Sequence, residues 1–128
     1  MVVLGTTPKR TTKFILNLNN YRNVHYRSLA LAKRRYKDEV FNLVDSLDYV
    51  PTFDGMVTIH YDYYHGNRRA VDVMNPVSVI DKFVCDALTE KGIWPDDNHR
   101  IVTAVSARFA GVDSENPRCE MLIKESNL

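Results

Sequence analysis

Apolar residues recur at positions 29, 32, 36, 40, 43, 44 and 47, a spacing that predicts a helix over about 28–47. Ser28 stands where a hydroxyl can accept an otherwise unpaired first-turn amide, as an N-cap does. Lys33, Arg34, Arg35 and Lys37 crowd the early turns on the exposed side. The period then changes to two. Over 56–64, Val57, Ile59, Tyr61 and Tyr63 alternate with Thr58, His60 and Asp62, the pattern of a strand with one buried face. His65, Gly66 and Asn67 supply the turn that ends it. A second helical stripe follows, made of Ile80, Phe83, Val84, Ala87 and Leu88, with Gly92 as its closing C′ residue. Its start has two candidates. Asn75 before Pro76 reads as an N-cap and N1 pair, whereas Ser78 with Asp81 three residues on resembles a capping box.

Shorter runs complete the pattern. Residues 12–18 read as a strand, as do 101–109 and 118–124, with a turn over 111–117. Residues 1–11 read as a loose basic arm, and 19–27 as a polar, aromatic loop without a period. The order strand, helix, strand, helix, strand, strand predicts an α/β protein of the α+β type. Its expected form is two-layered, a mixed four-stranded sheet with both helices packed on one face.

A chain of 128 residues is long enough to bury a core without staples, and 1–128 reads as a single domain. No run approaches the roughly 20 consecutive apolar residues of a membrane span. The opening Met1–Gly5 run is short, and its basic residues follow it rather than precede it, unlike a secretory signal. A cytoplasmic protein is therefore expected. Cys85 falls in the helical stripe and Cys119 on a strand, so both read as reduced core residues.

The net charge of +1 hides a division. Residues 1–50 carry nine Lys and Arg against four Asp and Glu, and the rest carry eight against twelve. A basic surface beside an acidic pocket suits nucleic-acid cleavage, where cations position the backbone and carboxylates carry metal. The acids that matter lie within 72–97. Asp72 precedes the second helix and Asp97 follows it, so the fold can return both to one rim of the sheet. Carboxylates with water and substrate phosphate are the usual ligands of Mg²⁺. Such an ion activates water and stabilises charge on the leaving oxygen. Lys82 is placed to neutralise phosphate as a point charge, or to pair with Asp86 one turn on. Asp81 is either a ligand or a first-turn acid favoured by the helix dipole. Asn75 is a ligand or a cap, and Asp96 supports Asp97 or forms the turn. Arg68 and Arg69 suit backbone phosphate, and Asn20, Arg22 and Arg27 add polar contacts to DNA. His25, His60 and His65 have no metal spacing and no assigned role.

The residues Arg68-Arg69, Asp72, Asn75, Asp81-Lys82-Phe83, Asp86-Ala87-Leu88, Gly92 and Asp96-Asp97 together resemble the RusA family of Holliday junction resolvases. The family's helix also carries a lysine followed by D-A-L, then a glycine and paired aspartates. Asn19-Asn20-Tyr21-Arg22 is similar to its early segment. The resemblance spans roughly 13–125 and is specific mainly over 68–97. It implies an α/β homodimer that binds four-way DNA junctions and makes paired, Mg²⁺-dependent nicks, with Mn²⁺ able to substitute. It also implies a site of three aspartates and a lysine: Asp72 matches the first aspartate, Asp97 the last and Lys82 the lysine. The family's D-x-D-N becomes Asp72-Val73-Met74-Asn75 here, and a thioether is no substitute for a hard oxygen. The interval to Lys82 is also longer by about four residues. Asp81, Asn75 and Ser78 are the candidates for the vacant ligand position.

The expected function is a structure-selective DNA endonuclease resolving Holliday junctions in recombination and repair, in a bacterial or phage-infected cell. Two alternatives stand beside it: a junction-binding protein in which Met74 has abolished cleavage, and a nuclease for flaps or forks.

Overall fold

The computed structural model describes residues 11–17, 29–47 and 50–125. In chain order they form β1 (Thr11–Asn17), α1 (Leu29–Asp45), β2 (Val57–His65), α2 (Met74–Lys91), β3 (Val102–Val112) and β4 (Arg118–Glu125). The polar loop expected over 19–27, with Asn20, Arg22, His25 and Arg27, lies outside the described residues, as does the basic arm up to residue 10.

The alternation in β2 works as its sequence predicts. Val57, Ile59, Tyr61 and Tyr63 are buried, while Thr58, His60, Asp62 and Tyr64 are half-buried on the other face. β2 pairs antiparallel with β4 and parallel with β3, and β4 pairs antiparallel with β1, giving a mixed sheet in the order β1-β4-β2-β3. A parallel pair needs a crossover, and α2 is the crossover between β2 and β3. One apolar cluster joins Tyr36, Val40 and Val44 of α1 to Val77, Ile80, Phe83, Val84 and Leu88 of α2, with the odd residues of β2 and Cys119, Met121 and Ile123 of β4. Each large aliphatic side chain fully buried there stabilises the fold by roughly 1.5–3 kcal/mol. The protein is thus α+β, with two helices and a mixed sheet, as expected.

Charge complements this apolar contact. Across the helix pair, Lys33 meets Asp86 at 4.0 Å, Lys37 meets Glu90 at 2.6 Å and Lys91 meets Asp45 at 2.5 Å. Part of the N-terminal basic excess is therefore matched to acids on α2 and is not a free cationic surface.

Two boundaries differ from expectation for identifiable reasons. α2 begins at Met74, earlier than either predicted start. Asp72 secures that end: its Oδ1 accepts the Met74 amide at 3.2 Å and its carbonyl accepts the Asn75 amide at 3.0 Å. Ser78 makes no capping box; its hydroxyl donates to the Asn75 carbonyl at 3.2 Å. The other end behaves as read. Gly92 adopts φ 83°, and the Ile93 amide returns to the Leu88 carbonyl at 3.0 Å. β3 runs past the turn expected from Gly111 onward, to Val112. Gly111 sits at φ 152°, a conformation that side chains disfavour, beside an irregularity in the β2–β3 register. Among the described residues no helix is long and apolar enough to cross a membrane.

Candidate functional site

α2 and the loop after it set the geometry of the acids. Because α2 begins at Met74, Asp81 lies in its third turn, and the helix has no acid in its first turn. The dipole explanation for Asp81 therefore fails. Instead the carboxylate tilts toward the sheet, where the buried Tyr61 hydroxyl donates to its Oδ1 at 2.5 Å. The Cys85 thiol, one turn on, donates to the same oxygen at 3.3 Å. A tyrosine hydroxyl inside a core requires such a partner, and Asp81 supplies it. Burial, with the Cys85 and Asp81 charges beside it, pushes the Tyr61 phenol well above its ordinary range.

Asp97 lies near Asp86 and Asp96, and among the described residues it is linked to Asp81 through the Cys85 thiol alone. Burial pushes its carboxyl upward, reinforced by a hydrogen bond shared with Asp96 and by repulsion from Asp86 and Asp96. Burial also drives the Cys85 thiol far up, and the charges of both Asp81 and Asp97 add to that rise. One thiol thus senses two of the predicted acids at once. The loop that carries Asp97 is internally tied. Asp96 accepts the Asp97 amide at 2.8 Å and the Asn98 side-chain amide at 3.0 Å, while Asn98 accepts the Arg100 amide at 2.9 Å. Asp96 therefore forms the turn and also raises Asp97.

Lys82 is exposed, and among the described residues it has no ion pair. The pairing with Asp86 anticipated from the i,i+4 spacing is not made; Asp86 faces Lys33 of α1 instead. Arg68 and Arg69 are exposed on the turn after β2, where the Arg69 amide donates to the Asn67 side chain at 2.9 Å. Among the described residues neither arginine has an acidic partner.

Asp72 and Asn75 stand apart from this neighbourhood. Both are exposed at the start of α2, beside a Met74 that is itself 51% exposed. Asp81 lies six residues beyond Asn75, about 9 Å of helical rise, and nine beyond Asp72. Among the described residues, Asp72 shares no hydrogen bond or ion pair with Asp81, Asp86 or Asp97. No three His, Cys, Asp or Glu among the described residues are grouped closely enough to hold a metal ion by themselves. The donors do have the right chemistry for a hard cation. Mg²⁺ commonly takes only one or two protein carboxylates, with water and phosphate in its other positions.

Two partners escaped the sequence reading. Tyr61 was legible only as a core residue, although a buried hydroxyl is itself a signal that a polar partner must exist. His60, given no role, bridges Ser106 and Asp62 on the open face of the sheet: its Nδ1 is 2.7 Å from the Ser106 hydroxyl and its Nε2 is 2.9 Å from Asp62. Arg108 also donates to Asp62 at 3.0 Å. Burial opposes ionisation of Asp62, but the hydrogen bonds from His60 and Arg108 hold its carboxyl below the usual range. No family model matches this chain, and no curated protein matches it.

Proposed function

We propose that the chain is a Mg²⁺-dependent endonuclease of branched DNA, akin to the RusA-like resolvases that 68–97 resembles. Its fold would be their two-layer arrangement of four strands with both helices on one face. The observation that carries the reading is that Asp81 accepts from Cys85, a thiol that also feels the charge of Asp97, beside an exposed Lys82 without an acidic partner among the described residues. Of the candidates for the missing family aspartate, this favours Asp81 over Asn75 and Ser78.

In this reading Asp81 and Asp97 hold Mg²⁺, with Mn²⁺ as a substitute. When bound, the ion activates a water and stabilises charge on the leaving oxygen. Tyr61 fixes the Asp81 carboxylate by occupying one of its oxygens, so that the other is presented in one orientation. Lys82 neutralises the scissile phosphate, and Arg68 and Arg69 track the backbone on either side. Asp72 and Asn75 are accessory oxygens at the helix start. Paired nicks across a four-way junction call for two copies of the site, hence a homodimer. Action on DNA in the cytoplasm of a bacterial or phage-infected cell belongs to the same proposal.

The test is a labelled four-way junction incubated with Mg²⁺. Symmetric nicks are expected, lost in Asp97→Asn and reduced in Lys82→Ala and Asp72→Asn, with junction binding retained. Cleavage undiminished in Asp97→Asn overturns the assignment. One observation favours a second reading, a junction binder that does not cut: among the described residues Asp72, the match to the family's first aspartate, shares no hydrogen bond or ion pair with Asp81 or Asp97. Tight junction binding without nicks in Mg²⁺ or Mn²⁺ would establish it. Faster cutting of flaps or forks would redirect the substrate and leave the site unchanged.

A further inference from the structure

The free edge of β3 carries a pattern that the proposed chemistry does not use. β3 is the last strand in the order β1-β4-β2-β3, and no strand lies beyond it among the described residues. Val105 and Phe109 are the register partners of Ile59 and Tyr63, so they lie on the face of the sheet that holds the core. Ile59 and Tyr63 are 1% and 6% exposed, yet Val105 and Phe109 are each 45% exposed. The apolar layer therefore runs out to the edge and stops uncovered. Long apolar edges are aggregation hazards that proteins usually blunt with lysine, proline or charge. β3, reading V-T-A-V-S-A-R-F-A-G-V, carries one charge and no proline.

Mirrored about Ala107, this edge sets apolar residues against apolar ones and polar against polar at its centre. Val105 mirrors Phe109, Ser106 mirrors Arg108, and Ala104 mirrors Ala110. The irregularities in the β2–β3 register fall outside 104–109, so the mirrored centre lies in regular strand, about 20 Å long. A two-fold interface places the same patch on both copies, each residue meeting its mirror mate. We propose that β3 pairs antiparallel with β3 of a second copy of this chain, with Ala107 on the two-fold axis. Val105 then faces the partner's Phe109, and Phe109 faces the partner's Val105, extending both cores across the seam. On the opposite face Arg108 meets the partner's Ser106 and keeps its bond to Asp62. Sliding the strands to centre on Arg108 sets two arginines directly opposite, which is unfavourable. Centring on Ser106 sets Phe109 against threonine and loses the apolar match. Of these three registers, the one centred on Ala107 satisfies both faces. This surface stands independently of the nuclease reading, because it rests on β3 alone.

A strand seam of this size is smaller than the roughly 800 Å² per partner of a stable complex, so the dimer dissociates on dilution. The test is sedimentation velocity of the full chain without DNA across a wide dilution series. The expected mass rises from the 14.8 kDa of one chain to twice that. Phe109→Asp holds the mass at one chain, while Val50→Asp, at an exposed valine off the seam, leaves the dimer intact. Circular dichroism of Phe109→Asp separates loss of pairing from loss of folding. A milder pair fixes the register. Under mild oxidation, Val105→Cys chains mixed with Phe109→Cys chains give a disulfide-linked dimer, and neither alone does so. A monomer at every concentration overturns the proposal. So does a dimer that persists in folded Phe109→Asp, and so does a dimer in which the mixed cysteines fail to link.

Discussion

Replacing Tyr61 with phenylalanine isolates the contact on which the Asp81 geometry depends. The ring is fully buried and stays so in Tyr61→Phe, which changes core volume little. What is lost is the hydroxyl, and with it the 2.5 Å bond to Asp81 Oδ1 and the 3.9 Å approach to the Cys85 sulfur. A hydrogen bond to a charged acceptor contributes about 1.5–3 kcal/mol. Asp81 is half-buried, so water compensates in part, and the Cys85 thiol remains as a weak donor at 3.3 Å. The lower end follows, about 1.5–2 kcal/mol. Trp94, the only tryptophan, is 2% exposed and reports unfolding by fluorescence. With an ordinary urea m-value for a small protein, the midpoint falls by roughly 1 M at unchanged m. In an Asp81→Ala background the same change should cost close to nothing, because its partner is already gone. Equal costs in the two backgrounds, or no cost in the wild type, would refute the contact as the support of Asp81.

Two further outcomes concern pH. Asp97 has a raised carboxyl in the folded state, so its favourable contribution is complete below the unfolded carboxylate pKa and is lost as pH rises through the folded value. Asp97→Asn should therefore stabilise the fold at pH 7 while abolishing cleavage, and the gain should vanish near pH 3; urea midpoints at the two pH values decide it. Burial lifts the Cys119 thiol from 9.0 to about 12, with Asp62 and Glu120 adding to the rise. Its contribution is complete below pH 9 and falls away as pH climbs toward 12, so wild-type stability should decline above pH 9. Cys119→Ala should flatten that decline while lowering the midpoint at pH 7, as a core truncation does.

The sequence carried the elements better than their meeting points. Periodicity located α1, β2 and the buried stripe of α2 because burial imposes a repeat on the chain itself. The start of α2 was harder. Asn75-Pro76 and Ser78-Asp81 both have the local form of a cap, whereas the bond that holds the end comes from Asp72, a residue expected to bind metal. Gly111 signals a turn locally and so ends the predicted strand at 109, although its glycine conformation also lets β3 continue through an irregularity to Val112. At the site, residue types were legible and proximity was not. Nothing in the spacing of Asp72, Asp81 and Asp97 told which of them approach Cys85, since that depends on how the loop after Gly92 returns along the helix. Tyr61 and Cys85 decide the matter for Asp81, and both read in sequence as ordinary core residues.

In the proposed mechanism Asp81 and Asp97 act together on one phosphodiester. Single-turnover cleavage of a four-way junction by Asp81→Asn, Asp97→Asn and the double variant tests it most directly. Groups that act as one unit are not additive. Each single variant should lose nearly all activity, and the double should be no slower than either. Full activity in either single variant, or losses that multiply in the double, would contradict it.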